Sequence, residues 1–136
     1  IPEDARIFSH RDPENTILVS AGEPLPENRQ TVEKSGGQIW TVCGDSAGMI
    51  DLKSFLRKAF SCNIASLLIE GGSMVFSSFL RQGLADRVVV FQAPKIFGDG
   101  KSPFTGLGIS EPDKALTFRE AEWERVGADI MFSGRI

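Results

Sequence analysis

The chain has 136 residues, 41% of them hydrophobic, which is enough for one compact domain with a core and too few for two full domains. Its formal net charge of -3 gives no general attraction to nucleic acid or to anionic membranes. No apolar stretch approaches the roughly 20 residues that cross a bilayer, and the N-terminus lacks a signal-peptide pattern, so we expect a cytoplasmic protein that acts on small molecules.

The first part of the chain predicts two short strands. Residues 16–19 form an apolar, β-branched run, which ends at a loop rich in glycine and proline over residues 21–26. Residues 39–43 form a second such run, bounded on both sides by turn-forming residues. Both runs are therefore predicted to be strands.

The clearest helical pattern follows Asp51, which can cap a helix. Basic residues occupy one face of the predicted helix, and apolar residues recur at helical spacing on the other. The apolar residues are Leu52, Phe55, Leu56, Ala59 and Phe60.

Strands and helices are predicted to alternate through the centre of the chain. Residues 65–69 form an apolar run with little alternation, which predicts a strand covered on both faces. Residues 73–82 then show a narrower apolar stripe, which predicts a helix that ends at a left-handed Gly83. This alternation from residue 16 to residue 91 predicts β-α-β units in one parallel sheet.

The last part of the chain predicts a long loop and a hairpin. A glycine-rich loop follows residues 88–91 and runs to about Asp113. Residues 116–125 and 130–136 are predicted to be antiparallel strands joined by a tight turn at Gly127-Ala128.

The apolar parity of the first hairpin strand changes between Phe118 and Ala121, which predicts a bulge. The fold class expected from this order of elements is α/β, with a mixed sheet made of a parallel β-α-β core and a C-terminal antiparallel hairpin.

The strongest candidate site is Glu70-Gly71-Gly72-Ser73, between a predicted strand and a predicted helix. Ligands of open α/β sheets bind at this position, where a helix N-terminus offers N–H groups and partial positive charge to a phosphate. Ser73 adds a hydroxyl that can cap the helix or meet the phosphate. Two glycines at such a junction are also common packing devices, and a full G-x-G-x-x-G fingerprint is absent, so both interpretations stay open.

Glu70 precedes the glycine pair, where a carboxylate would repel a phosphate. Its side chain either faces a hydroxyl or amine of a second ligand or is held by neighbouring backbone N–H groups.

Cysteine and histidine residues give no metal-ligand spacing. Cys43 and Cys62 lie in or beside apolar segments, which favours buried side chains over a disulfide. His10 lies in a poorly patterned stretch and receives no role.

Other polar and aromatic residues have simpler interpretations than ligand binding. The Gly98-Asp99-Gly100 loop is predicted to be a surface turn. Trp40 and Trp123 fit a core or an interface better than a stacking platform. The charged residues predicted to be exposed to solvent are Lys95, Lys101, Glu120, Glu122 and Glu124.

Three stretches of the chain carry a family resemblance. They are residues 66–73 (Ser-Leu-Leu-Ile-Glu-Gly-Gly-Ser), residues 79–87 (Phe-Leu-Arg-Gln-Gly-Leu-Ala-Asp-Arg) and residues 93–98 (Ala-Pro-Lys-Ile-Phe-Gly). Together they resemble the reductase domain of the bifunctional riboflavin-biosynthesis deaminase-reductase. The resemblance is strongest over residues 65–100.

The resemblance implies a fold like dihydrofolate reductase. It implies that NADPH reduces 5-amino-6-(5-phosphoribosylamino)uracil to the ribitylamino compound, with Glu70 as the substrate contact and the catalytic residues unassigned. It places the cofactor on the segment that comprises Gly71, Gly72, Ser73, Met74, Val75, Phe76, Ser77 and Ser78.

In that family, further parts of both binding sites precede anything that corresponds to Ile1. We therefore expect residues 1–136 to be a single, N-terminally truncated reductase domain, without the deaminase zinc motif. A truncated sheet exposes an edge that favours association, so we expect a homo-oligomer, a dimer. Two alternatives stay open, namely a related reductase with a different substrate and a non-catalytic nucleotide-binding or assembly module.

Overall fold

A computed structural model of the chain describes residues 1–2, 4–9, 12–96 and 98–136. His10 lies outside the described residues. The chain divides into two compact units, Ile1–Leu67 and Leu68–Ile136.

The first unit is built on a parallel pair of strands. Strand β1 (Ile17–Ala21) pairs with β2 (Gln38–Val42), with Ile17 opposite Gln38 and Ala21 opposite Val42. Helix α1 (Pro26–Lys34) connects them and packs against β2, which completes a β-α-β unit. Both predicted strands are confirmed.

Helix α1 has no counterpart among the sequence predictions. Its buried residues are Thr31 and Val32, and a single buried valine gives no helical periodicity. The helix is marked by local signals instead, with Pro26 and Glu27 in its first turn and Lys34 in its last.

Helix α2 (Leu52–Ser61) begins where the sequence predicts. The Asp51 carboxylate accepts hydrogen bonds from the N–H of Lys53 at 3.1 Å and from the N–H of Ser54 at 3.3 Å. Neither N–H has an acceptor within the helix, so this cap satisfies two donors at once. The helix packs against β2, and Ala59 is its buried residue.

Helix α3 (Ser73–Arg81) is confirmed to within one residue, and α1, α2 and α3 all end in the same way. The second residue beyond each helix has a positive φ, 80° at Gly36, 62° at Asn63 and 61° at Gly83. The N–H of that residue and the N–H after it both bond to carbonyls of the last turn, which is a Schellman motif. The left-handed Gly83 is thereby confirmed.

The predicted strand over residues 65–69 is wrong. These residues form neither helix nor strand, and none of the described strands pairs with them. Leu67 and Leu68 are 40% and 82% exposed. An apolar run predicts burial, but a strand also needs a neighbouring strand for its backbone hydrogen bonds. The single parallel sheet predicted to reach residue 91 therefore does not form among the described residues.

The second unit contains an antiparallel three-stranded sheet. Strand β5 (Asp129–Arg135) lies between β3 (Arg87–Gln92) and β4 (Arg119–Val126), so β3 joins this sheet rather than a parallel one. Strands β4 and β5 form the predicted hairpin, with Gly127-Ala128 as its turn and a φ of 62° at Gly127. The α/β class is confirmed, with parallel and antiparallel strands in separate sheets.

The predicted bulge in β4 is confirmed. Arg119 lies opposite Arg135 and Glu122 lies opposite Ser133, so β4 has one residue more than β5 between these pairs. Glu120, within the bulge, has a φ of 50°. The extra residue accounts for the change of apolar parity in the sequence.

The two tryptophans have different environments. Trp40 in β2 is 8% exposed and is confirmed as core. Trp123 packs against Phe132, with ring centroids 5.2 Å apart, but it is 68% exposed and is not a core residue. The glutamates of β4 are exposed, as predicted.

Both cysteines are free thiols, and the prediction that they are buried is wrong. Cys43 directly follows β2, and Cys62 is the C-cap residue of α2. Both side chains are exposed because they lie at the ends of elements, although their sequence neighbours are apolar.

The Asp51 cap gives a direct test of the local structure. The Asp51→Ala substitution removes both cap hydrogen bonds and is expected to lower the free energy of unfolding by about 1 kcal/mol. Asp51→Asn keeps an acceptor oxygen and should retain most of the stability, as measured by urea unfolding. Equal losses of stability in the two variants would contradict the capping role. Both substitutions remove the negative charge, but only Asp51→Ala removes the acceptor oxygen.

Candidate functional site

The candidate site is the turn Glu70-Gly71-Gly72-Ser73, which leads directly into α3. Gly71 has a φ of 113°, a backbone conformation that favours glycine, and the Gly71–Gly72 peptide is cis. A Cβ built on Gly71 would lie 2.9 Å from Cε2 of Phe76. The Phe76 ring therefore lies against the backbone of the turn, where any residue larger than glycine would force the ring or the backbone to move.

The N-terminus of α3 has no side-chain cap. Gly72 is its N-cap residue, and the Gly72 carbonyl accepts the N–H of Val75 at 2.9 Å and of Phe76 at 3.1 Å. Ser73 is the first helical residue, so its hydroxyl does not act as the cap. Among the described residues, no acceptor bonds to the N–H groups of Ser73 and Met74.

The approach to these N–H groups is open. A Cβ built on Gly72 would have no atom within 4 Å, so the backbone there faces free space. The first turn of a helix also carries a partial positive charge of about half a proton charge. Two unpaired donors, an open backbone and the helix dipole together fit an oxygen-rich anion such as a phosphate.

Glu70 is exposed, and among the described residues its carboxylate has neither a hydrogen-bond partner nor an ion-pair partner. The interpretation that neighbouring backbone N–H groups hold this carboxylate is therefore wrong. Its oxygens are available to a hydroxyl or an amine of a ligand.

The predicted cofactor segment is exposed at its start and buried further along. Met74 and Val75, in the first turn of α3, are 66% and 41% exposed. Phe76 and Ser78 are half-buried, and Ser77 is 1% exposed. A ligand at the helix N-terminus can therefore reach the first turn, whereas the Ser77 side chain faces the protein interior.

A second stretch of chain packs on α3 and was missed by the sequence analysis. Residues 102–106, hereafter the 102–106 segment, lie within the predicted glycine-rich loop. The Ser77 Oγ accepts a hydrogen bond from the N–H of Thr105 at 2.8 Å, and the Phe76 and Phe104 rings meet edge to face with centroids 6.4 Å apart. An isolated Phe104 among polar and glycine residues was the available signal.

Lys95, Lys101 and the Gly98-Asp99-Gly100 stretch of the same loop are exposed, which is consistent with the predicted solvated surface. In the described ranges, no group of three His, Cys, Asp or Glu side chains is placed to hold a metal ion. In the same ranges, every helix is too short or too polar to cross a membrane.

Comparison with known proteins shows which family the chain belongs to. The family described as the RibD C-terminal domain matches residues 1–132. The chain belongs to the RibD C-terminal domain family. This confirms the resemblance inferred from the three sequence stretches around the Glu70 turn.

Two curated relatives of this family are the riboflavin biosynthesis proteins RibD of Aquifex aeolicus and of Actinobacillus pleuropneumoniae. They are 32% identical over 131 residues and 30% identical over 132 residues, respectively. Each alignment covers 96% of this chain, but only 34% and 35% of the relatives. The chain thus spans about a third of the length of the curated relatives it matches.

Solved structures of the family share the fold. RibD from Acinetobacter baumannii, form 2, has a TM-score of 0.79 and 23% identity, over 99% of this chain and 34% of that one. The riboflavin biosynthesis reductase of Saccharomyces cerevisiae has a TM-score of 0.67 and 19% identity, over 99% of this chain and 63% of that one. The predicted α/β fold is confirmed.

The contact between Gly71 and Phe76 can be tested by adding a single methyl group. In Gly71→Ala, the alanine would have to adopt a φ of 113°, and its Cβ would collide with the Phe76 ring. In Gly72→Ala, the φ is -72° and the added Cβ would lie in open space. We expect Gly71→Ala to lower the free energy of unfolding by about 1–3 kcal/mol, and by more than Gly72→Ala does. The opposite order in urea unfolding would contradict the packing described here.

Proposed function

We propose that this chain is the C-terminal part of an NADPH-dependent reductase that converts 5-amino-6-(5-phosphoribosylamino)uracil into the ribitylamino compound. The observation that carries the proposal is the N-terminus of α3. Among the described residues, the N–H groups of Ser73 and Met74 have no acceptor there, and the carboxylate of Glu70 ahead of them has no partner. Membership of the RibD C-terminal domain family supports the riboflavin pathway.

The turn fits the pyrophosphate of a dinucleotide. Phosphate oxygens would accept the N–H groups of Ser73 and Met74, and the missing side chain at Gly72 lets them approach the backbone. The exposed side chains of Met74 and Val75 provide apolar surface beside them. NADPH, when bound, supplies the hydride.

Glu70 has a different role from the residues that follow it. A carboxylate beside a pyrophosphate is repelled by it, so Glu70 is better suited to the second ligand, as an acceptor for a hydroxyl or an amine of the pyrimidine substrate. The reduction adds a hydride to the ribosyl carbon bonded to the amino nitrogen and a proton to the ring oxygen, which opens the ring. Glu70 contributes by holding that carbon next to the cofactor site.

We also infer that the protein works as a homodimer in the cytoplasm. Strands β3 and β4 are the outer strands of the antiparallel sheet, and each has one edge that pairs with no described strand. Such edges favour pairing with a second copy. The modest negative charge and the expected small-molecule substrate agree with a cytoplasmic enzyme.

The reaction is tested with the longest natural polypeptide that contains this chain. We expect NADPH consumption that depends on the phosphoribosylamino-pyrimidine, with the ribitylamino product identified by mass spectrometry. Dihydrofolate, offered as a control substrate, should not be reduced. Consumption with dihydrofolate but not with the pyrimidine would instead support a related reductase of different specificity and contradict the proposal.

If Glu70 contacts the substrate, its substitution should impair the use of the pyrimidine and leave NADPH binding unchanged. Glu70→Gln keeps the size of the side chain but removes its charge, so kcat/KM for the pyrimidine should fall about tenfold or more. The dissociation constant for NADPH should stay unchanged.

Glu122→Gln, at an exposed position of β4, is the matched control and should leave both constants unchanged. An equal effect of the two substitutions on kcat/KM would contradict the assignment of Glu70, as would weaker NADPH binding in Glu70→Gln with unchanged use of the pyrimidine.

A further inference from the structure

The 102–106 segment is attached along one side of α3. Three residues of the helix each contact one residue of the segment, through an edge-to-face ring contact or through one hydrogen bond. The pairs are Phe76 with Phe104, Ser77 with Thr105, and Arg81 with the carbonyl of Gly106. Because the pairs occur in the same order in both stretches, the segment follows the helix from its first turns towards its C-terminus.

Ser77 provides the buried contact of the three. Its side chain is 1% exposed, and its Oγ accepts the N–H of Thr105 at 2.8 Å. The Arg81 hydrogen bond to Gly106, at 3.2 Å, is exposed to solvent and therefore weaker. Loss of the Ser77 hydroxyl would leave the Thr105 N–H without an acceptor in a partly buried place.

Phe76 connects the segment to the glycine turn. A Cβ on Gly71 would lie 2.9 Å from the Phe76 ring, and the same ring meets the Phe104 ring edge to face. A displacement of the segment would therefore change the packing against the turn that precedes the N–H groups of Ser73 and Met74.

We propose that the 102–106 segment borders the cofactor's phosphate site and that Ser77 is the positioning residue that holds it there. This inference rests on the proposed function and adds to the cofactor site a stretch of chain distant in sequence. Ser77 does not touch the cofactor itself, because its hydroxyl is buried and already bonded to Thr105.

The attachment is tested without any cofactor, by amide hydrogen exchange at Thr105. Ser77→Ala should speed this exchange about fivefold or more, since it removes the acceptor. The matched control is Ser61→Ala, on α2, whose hydroxyl donates to the carbonyl of Lys58 in the same helix. Unchanged exchange at Thr105 in Ser77→Ala would overturn the proposal.

The role in cofactor binding is tested in the longest natural polypeptide that contains this chain. Ser77→Ala should raise the dissociation constant and the KM for NADPH about fivefold or more, with kcat at saturating NADPH unchanged. Ser61→Ala should change neither. Phe104→Leu, which removes the ring contact but keeps the backbone hydrogen bond, should weaken NADPH binding in the same way if Ser77→Ala does not fold.

The outcomes separate the two proposals. Faster exchange at Thr105 with unaltered NADPH binding would overturn the claim that the segment borders the cofactor site, while leaving the proposed reductase function intact. Absence of NADPH binding by the unsubstituted protein would contradict the proposed function, and the claim about the cofactor site would fail with it. The exchange measurement would still decide whether Ser77 holds the segment.

Discussion

The close approach of the Phe76 ring to the backbone of Gly71 is the interaction on which the site depends. A side chain at Gly71 would meet the ring at 2.9 Å, and the φ of 113° there already favours glycine. Next to Gly71, Gly72 is the N-cap residue of α3. It has no side chain that could compete for the first N–H groups of the helix. The open approach to these N–H groups therefore follows from the packing of Phe76 against the turn.

The same turn separates two kinds of chemistry. Ahead of it, the Glu70 carboxylate is exposed and unpaired among the described residues, and beyond it lie the N–H donors of Ser73 and Met74. A hydrogen-bond acceptor and two hydrogen-bond donors are thus separated by no more than four positions in the sequence. The proposed hydride transfer would require this arrangement, because the hydride acceptor and the cofactor must be held side by side.

Features coded by a few adjacent residues could be predicted from the sequence. The Asp51 cap, the left-handed Gly83 and the tight turn at Gly127-Ala128 depend on local backbone chemistry, and each was found where expected. Features that depend on partners distant in sequence could not. Residues 65–69 have the composition of a buried strand but no described strand to pair with, and the 102–106 segment packs on α3 through contacts without a periodic pattern.

The central claim, that the free N–H groups at the start of α3 bind the cofactor's phosphates, is tested most directly by nuclear magnetic resonance. NADPH would be titrated into the ¹⁵N-labelled protein, and the amide signals of Ser73 and Met74 would be followed. We expect these two signals to shift downfield and to saturate with the same dissociation constant as NADPH binding measured by calorimetry. Saturable NADPH binding that leaves both signals in place would contradict it.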